Sequence, residues 1–255
     1  LLAAGLLAIS PWHILLSRAA FEANVATFFI VLGVFLFLEA KNRKWLLSLS
    51  ILSFVVSMYT FNTARIVAPL LVLGLVIMNR SYILKNLRRQ FIISATVGAI
   101  IFLPLFTFLL TPQAKLRFHE VNIFSDGAVV ERANQQIEND GNALWAKIIH
   151  NRRLGYAVEY LKHYFDNLSP DFLFIKGDGN PKFSIRDVGQ MYIFEIPFFI
   201  AGILFLFRKR EGYWQIIPYW LIVGIILAGT ARETPHALLI ETTLPTFQIL
   251  TAYGL

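Results

Sequence analysis

Three short stretches of the chain carry side chains that could handle an anion or a proton. Arg18 and Glu22 stand four residues apart, the spacing that places two side chains on one helical face. Tyr59-Thr-Phe-Asn-Thr-Ala-Arg65 brings an arginine and a tyrosine to a turn. Thr230-Ala-Arg-Glu-Thr-Pro-His236 gathers Arg232, Glu233 and His236 between two apolar runs. Arginine, not lysine, stands in all three places, and its planar fork binds phosphate in a bidentate way. Thr234-Pro235 has the form of a helix start, with Thr as cap and Pro in the first turn. The free N–H groups of such a terminus favour an anion. The chemistry expected here is phosphate recognition by Arg18, Arg65, Arg232 and His236, with Tyr59 lining the pocket and Glu22 positioning a hydroxyl or a metal. Each stretch also has a plainer reading. Arg18 and Arg65 snorkel to headgroups, Glu22 neutralises Arg18, Asn62 and Thr63 build a turn, and Arg232–His236 is an exposed loop.

The surroundings of these residues are strongly apolar. The 255 residues are 56% hydrophobic and 15% charged, against roughly 25% charged in an ordinary soluble domain. The charge is clustered, and the long stretches between clusters have the length and regularity of membrane spans. The net charge of +7 does not point to nucleic acid, because the basic residues fall in short connections between apolar runs. The absence of cysteine excludes disulfides and thiolate metal sites. The expected fold is an all-α polytopic membrane protein.

Leu1–Ile9 reads as the tail of a span, ended by Ser10-Pro11. Residues 11–22 read as a short interfacial helix with Trp12 at headgroup level. Spans are expected at about 23–40, 45–61, 65–78, 91–111, 191–207, 214–230 and 237–255. Three connections are rich in positive charge: Lys41–Lys44, Arg80–Arg89 and Arg208–Arg210. They alternate with connections carrying one arginine each, Arg18, Arg65 and Arg232. The positive-inside rule puts the first group in the cytoplasm and the second outside. Histidines 13, 119, 150, 163 and 236 all fall on the outer side. The predicted organisation is therefore helices over 1–111, an extracytoplasmic insertion over 112–190, and helices over 191–255. Both ends read as cut inside apolar helices, so a fragment lacking an N-terminal part is expected.

The insertion carries ten basic and ten acidic residues. Within it, Asn134–Asn151 and Arg153–Leu168 are predicted helical. In the second, Leu154, Ala157, Val158, Leu161, Tyr164, Phe165 and Leu168 form a stripe that would pack on the membrane surface or on the span tops. Asp126, Glu131, Asp178 and Asp187 read mostly as solvated loop acids. Gly177-Asp-Gly-Asn180 lacks the full ligand set of a calcium loop. No metal site is predicted, although a divalent metal stays open.

Taken in order, Ser10–Glu22, Tyr59–Arg65, Phe172-Leu-Phe-Ile-Lys-Gly-Asp178 and Arg232–His236 resemble the bacterial dolichyl-phosphate-mannose-protein mannosyltransferase-like glycosyltransferases. These are membrane enzymes of the GT-C fold, related to the aminoarabinose transferases of lipid A. The resemblance implies a glycosyltransferase that moves a sugar from a polyprenyl-phosphate carrier to a protein, lipid or glycan on the extracytoplasmic face. It places the principal catalytic acid in a first outer loop, upstream of Leu1, so the catalytic residue is expected outside the chain. It casts Arg18, Glu22, Tyr59, Arg65, Arg232 and His236 as pocket or carrier-phosphate residues. The competing expectation is a transporter or flippase for a lipid-linked or anionic substrate, which calls for ionisable or broken sites near mid-membrane. A third is a scaffold or sensor built on 112–190, a segment of marginal size for an independent domain.

Overall fold

A computed structural model describes residues 1–114, 116, 122–125, 127–185 and 187–255. His119 and Asp126 lie outside the described residues. The architecture is mostly helical, and among the described residues there is no strand beyond an isolated antiparallel bridge between Asn122 and Ala231.

The first half is an antiparallel bundle. Helix α1 (Leu2–Ile9) is followed by α2 (Pro11–Arg18), with Pro11 in the first turn, where its missing N–H costs nothing. Then come α3 (Glu22–Glu39), α4 (Leu46–Thr60) and α5 (Ala64–Met78), close to their predicted spans. Close packing of α3 on α4 depends on Gly33, where a Cβ would stand 2.9 Å from the Phe54 ring. The Ser50 hydroxyl donates to the Gly33 carbonyl at 2.7 Å.

Helix α6 (Arg80–Leu109) is longer than predicted. It starts at Arg80, not near residue 91, and passes through a π turn at Ile83–Leu87. The basic residues 80–89 therefore ride on the helix instead of forming a loop. Helix α6 lies along α4, where Ser48 and Ser94 share a hydrogen bond of 2.9 Å. Among the described residues two helices, α3 and α6, are long and apolar enough to cross a membrane. Helix α6 has a mean hydropathy of 2.3, and only 17% of its most apolar window is buried inside the protein.

The second half contains α7 (Gly127–Asn139), α8 (Leu144–Ile149) and α9 (Arg152–Asp166) in the insertion. It then continues through α10 (Ile196–Lys209), α11 (Ile216–Ile225) and α12 (Leu244–Gly254). The helix predicted over Asn134–Asn151 is instead two, because Gly141 and Asn142 both take positive φ, +65° and +58°, and turn the chain. Helices α10 and α12 touch backbone to backbone. A Cβ at Gly202 would overlap the Leu250 carbonyl, and one at Gly254 would overlap that of Phe198.

Two apolar cores result. One joins α3, α4, α5 and α6 with Ile216 and Trp220 of α11. The other gathers Trp12, Phe172, Met191, Ile225, Ile240 and Phe247. The loops at one end of the bundle meet. The Lys41 ammonium lies 5.2 Å from the Tyr82 ring and 4.6 Å from the Tyr213 ring. The three basic segments thus share that end, and Thr60–Ala64 and the loop after Thr230 lie at the other.

Candidate functional site

The loop after α11 begins with a single 3-10 turn at Ala228–Thr230 and then runs irregularly to a second at Glu241–Thr243. No helix starts at Thr234-Pro235. Their peptide bond is cis, and the next helix, α12, begins at Leu244 with Pro245 in its first turn. This corrects the expected helix start beside Arg232. The Thr234 hydroxyl, assigned to capping, instead donates to Asp166 at 3.0 Å.

Helix α9 holds this loop from above. His163 Nδ1 lies 2.8 Å from the Ala231 carbonyl, and Tyr160 donates to the Ile226 carbonyl at 3.1 Å. Asn167, fully buried, donates to the His163 carbonyl and accepts the N–H of His236. Gly229 lies directly under the Tyr160 ring, where a Cβ would be 2.7 Å away. The turn 177–184 closes the other flank. Asp178 accepts the N–H groups of Asn180 and Ala237 at 2.8 and 2.7 Å, and Phe183 stacks on His236 at 4.9 Å. Asp178 is therefore a buried structural acid, not a solvated one. Burial lowers the pKa of His236 below its ordinary value, against the opposing pull of Asp178 and Glu233.

The expected phosphate residues are at the predicted end of the bundle but engage different partners. Arg18 and Glu22 do not share a helix. Helix α2 stops at Arg18, Ala20 takes φ +54°, and α3 restarts at Glu22. Both side chains are exposed, with no ion pair between them among the described residues. Arg65 donates through Nε to the Met58 carbonyl at 3.1 Å. Arg232, also exposed, donates through Nε to the Asn122 carbonyl at 3.2 Å. Tyr59 is 44% exposed and donates to the Ile101 carbonyl of α6 at 2.7 Å, so it braces the bundle's flank. Among the described residues, no hydrogen bond or ion pair links the guanidinium groups of Arg18, Arg65 and Arg232 to one another's segments. Glu131 and Asp187 are exposed. Among the described residues no cluster of His, Asp and Glu could hold a metal.

The interior below the loop is the part the sequence reading passed over. The chain descends from Thr230 to the turn Glu241–Thr243, which packs between α3 and α11. Trp220 Nε1 donates to the Thr242 carbonyl at 2.8 Å, and Gly224 admits the Thr243 side chain. The turn thus packs against the side of α11, along its last two turns. Glu241 is 0% exposed there, and among the described residues neither carboxylate oxygen has a hydrogen-bond partner. Among the described residues, Thr242 Oγ1, both amide atoms of Gln248, Trp12 Nε1 and Gln190 Nε2 are likewise buried without a partner, whereas Glu195 accepts the Tyr192 N–H at 3.0 Å. Polar atoms left this way cost about 1–3 kcal/mol each, and native proteins keep few of them. Among the described residues no Lys or Arg forms an ion pair with Glu241 or Glu195.

The signal for Glu241 and Glu195 was present in the sequence, since both acids interrupt runs predicted as spans. An ionisable residue in such a run is a functional candidate by default. Both stand near the start of those runs, in 3-10 turns that precede α10 and α12.

No family model matches the chain, and no curated protein or solved structure is significantly similar to it.

Proposed function

We propose that the chain is the membrane-embedded bundle of a glycosyltransferase that takes a sugar from a polyprenyl-phosphate carrier and passes it to an acceptor at the extracytoplasmic face. The bundle would be multi-pass in a bacterial-type cytoplasmic membrane. Support for the membrane comes from α6, whose apolar surface is mostly uncovered and would be untenable in water. The alternation of basic and arginine-poor ends, now with Lys41, Tyr82 and Tyr213 in contact, agrees with it.

The observation that carries the reading is the position of Glu241. A carboxyl without a partner lies beneath a polar loop at the bundle end where Arg65 and Arg232 sit. A lipid-linked phosphate at headgroup depth would meet the arginines, and its sugar would reach inward toward Glu241, Thr242 and Gln248. Arg65 and Arg232 each use Nε on a backbone carbonyl, which fixes the guanidinium and leaves the Nη edge for phosphate oxygens.

The test is transfer of radiolabelled sugar from a polyprenyl phosphate by the full-length protein in nanodiscs. Arg65→Ala and Arg232→Ala are expected to lose at least ten-fold, and Arg65→Lys to recover little because the fork is gone. Full turnover in all of these variants, with folding intact, removes the reading.

A transporter or flippase for a lipid-linked or anionic substrate is the second reading, and Glu241 favours it too, as an ionisable group inside an apolar run. Movement of intact lipid-linked substrate across a vesicle membrane, without sugar transfer, selects it.

A further inference from the structure

Helix α9 has three faces, and the fold covers two. Gly155 packs against Val129 of α7, and Glu159 pairs with Arg132 at 3.5 Å. Tyr160, His163 and Asn167 grip the loop after α11. The third face repeats Leu154, Val158, Leu161 and Phe165, which are 49, 65, 52 and 62% exposed. Helix α8 extends it with Leu144, Trp145, Ile148 and Ile149, each more than half exposed. A continuous apolar face of this size on a surface helix pair calls for an occupant.

We infer that this face lies in the outer leaflet of the membrane that the bundle spans, so that α8 and α9 form a membrane-inserted collar on the insertion. The inference rests on the membrane reading above. Two observations select lipid as the occupant. First, the face runs on from the bundle's own flank. Tyr164, on the same helix, donates to the Ile222 carbonyl of α11 at 2.9 Å, and the Ile222 side chain is 58% exposed. Lipid around α11 therefore reaches α9. Second, charge is segregated. Arg153 and Lys162 stand to either side of the apolar stripe on α9 and Lys147 lies on α8, within reach of anionic headgroups, whereas the acids of α9 are turned inward, Glu159 to Arg132 and His163 and Asp166 to Thr234. Trp145 sits at the end of the stripe, the aromatic type enriched at headgroup depth.

These 255 residues contain no cysteine, so a cysteine introduced among them, with any cysteine elsewhere in the full-length protein replaced by serine, carries the only spin label. Three exposed sites serve in the full-length protein in anionic nanodiscs: Val158→Cys on the stripe, Glu131→Cys on α7 and Val97→Cys on the uncovered face of α6. Collision rates with oxygen, which enriches in lipid, are compared with those of a nickel chelate confined to water. Labels at 158 and 97 are expected to favour oxygen several-fold, and the label at 131 to favour nickel. Nickel contact at 158 with oxygen preference at 97 overturns the collar and leaves the membrane reading standing. Nickel contact at 97 removes the membrane reading and the collar with it. Spin–spin broadening at 158 that vanishes on dilution with unlabelled protein assigns the face to a second copy and also overturns the proposal.

Discussion

Asn167 accepts the backbone N–H of His236 at 2.9 Å and gives its own amide to the His163 carbonyl at 2.7 Å. One buried side chain thereby ties the last turn of α9 to the loop that leads down to Glu241.

Removal of that tie should loosen the loop. Asn167→Ala leaves the His163 carbonyl and the half-buried His236 N–H without this partner, for a loss of about 1–3 kcal/mol. A lower thermal midpoint in nanodiscs and faster proteolytic cleavage within 231–236 are expected. An unchanged midpoint means that the contact contributes nothing.

Glu241 should show the opposite balance. Glu241→Leu replaces an unpartnered buried carboxyl with an apolar side chain of similar size, for a gain of about 1–3 kcal/mol. The same variant, and Glu241→Gln, should cut sugar transfer at least ten-fold. A protein more stable and less active is the mark of a group kept for function. Full activity in the more stable variant takes Glu241 out of the site.

Acid should release His236. Burial lowers its folded pKa below 6.5, so above that pH both states are neutral and stability is flat. As pH falls below about 6.5, the unfolded chain takes up the proton more readily than the folded one, and stability is lost. His13 is lowered by burial too and slopes the same way, so the difference between wild type and His236→Phe isolates the residue. The wild-type midpoint should fall more steeply between pH 7 and 5 than that of the variant. Parallel curves would show that the ring is not held neutral.

The contact of α10 with α12 should tolerate no side chain. Gly202→Val places carbon on the Leu250 carbonyl and should cost about 1–3 kcal/mol or more through overpacking. Gly5→Ala, with nothing within 4 Å, should be neutral or slightly stabilising. Equal midpoints for the two variants would show that the helices can move apart freely.

Hydropathy and charge located α3, α4 and α5 to within a residue or two, because long apolar helices declare their own ends. They failed where a local signal competed with a tertiary one. Thr234-Pro235 has the form of a helix start, but Asp166 and Asn167 of α9 hold that stretch in an irregular path. Arg18 and Glu22 have helical spacing, but the chain turns at Ala20. Gly141-Asn142 was a visible breaker inside a predicted helix and was read through. Most of the interior site was invisible for a simpler reason. Gln248, Trp12 and Gln190 look like ordinary residues until the fold leaves their polar atoms without partners.

The insertion is fastened to the bundle in an asymmetric way. Tyr160, Tyr164 and His163 of α9 all reach backbone carbonyls, those of Ile226, Ile222 and Ala231. Every residue offers the same carbonyl, so the receiving strip can drift in sequence without losing its partner. Exchange of Ile222 or Ile226 for Val or Leu leaves the attachment untouched, whereas loss of a single tyrosine hydroxyl deletes one fastening. The identity of the lock is written on one surface only, and a related insertion could be moved onto a different bundle provided that its backbone followed the same course.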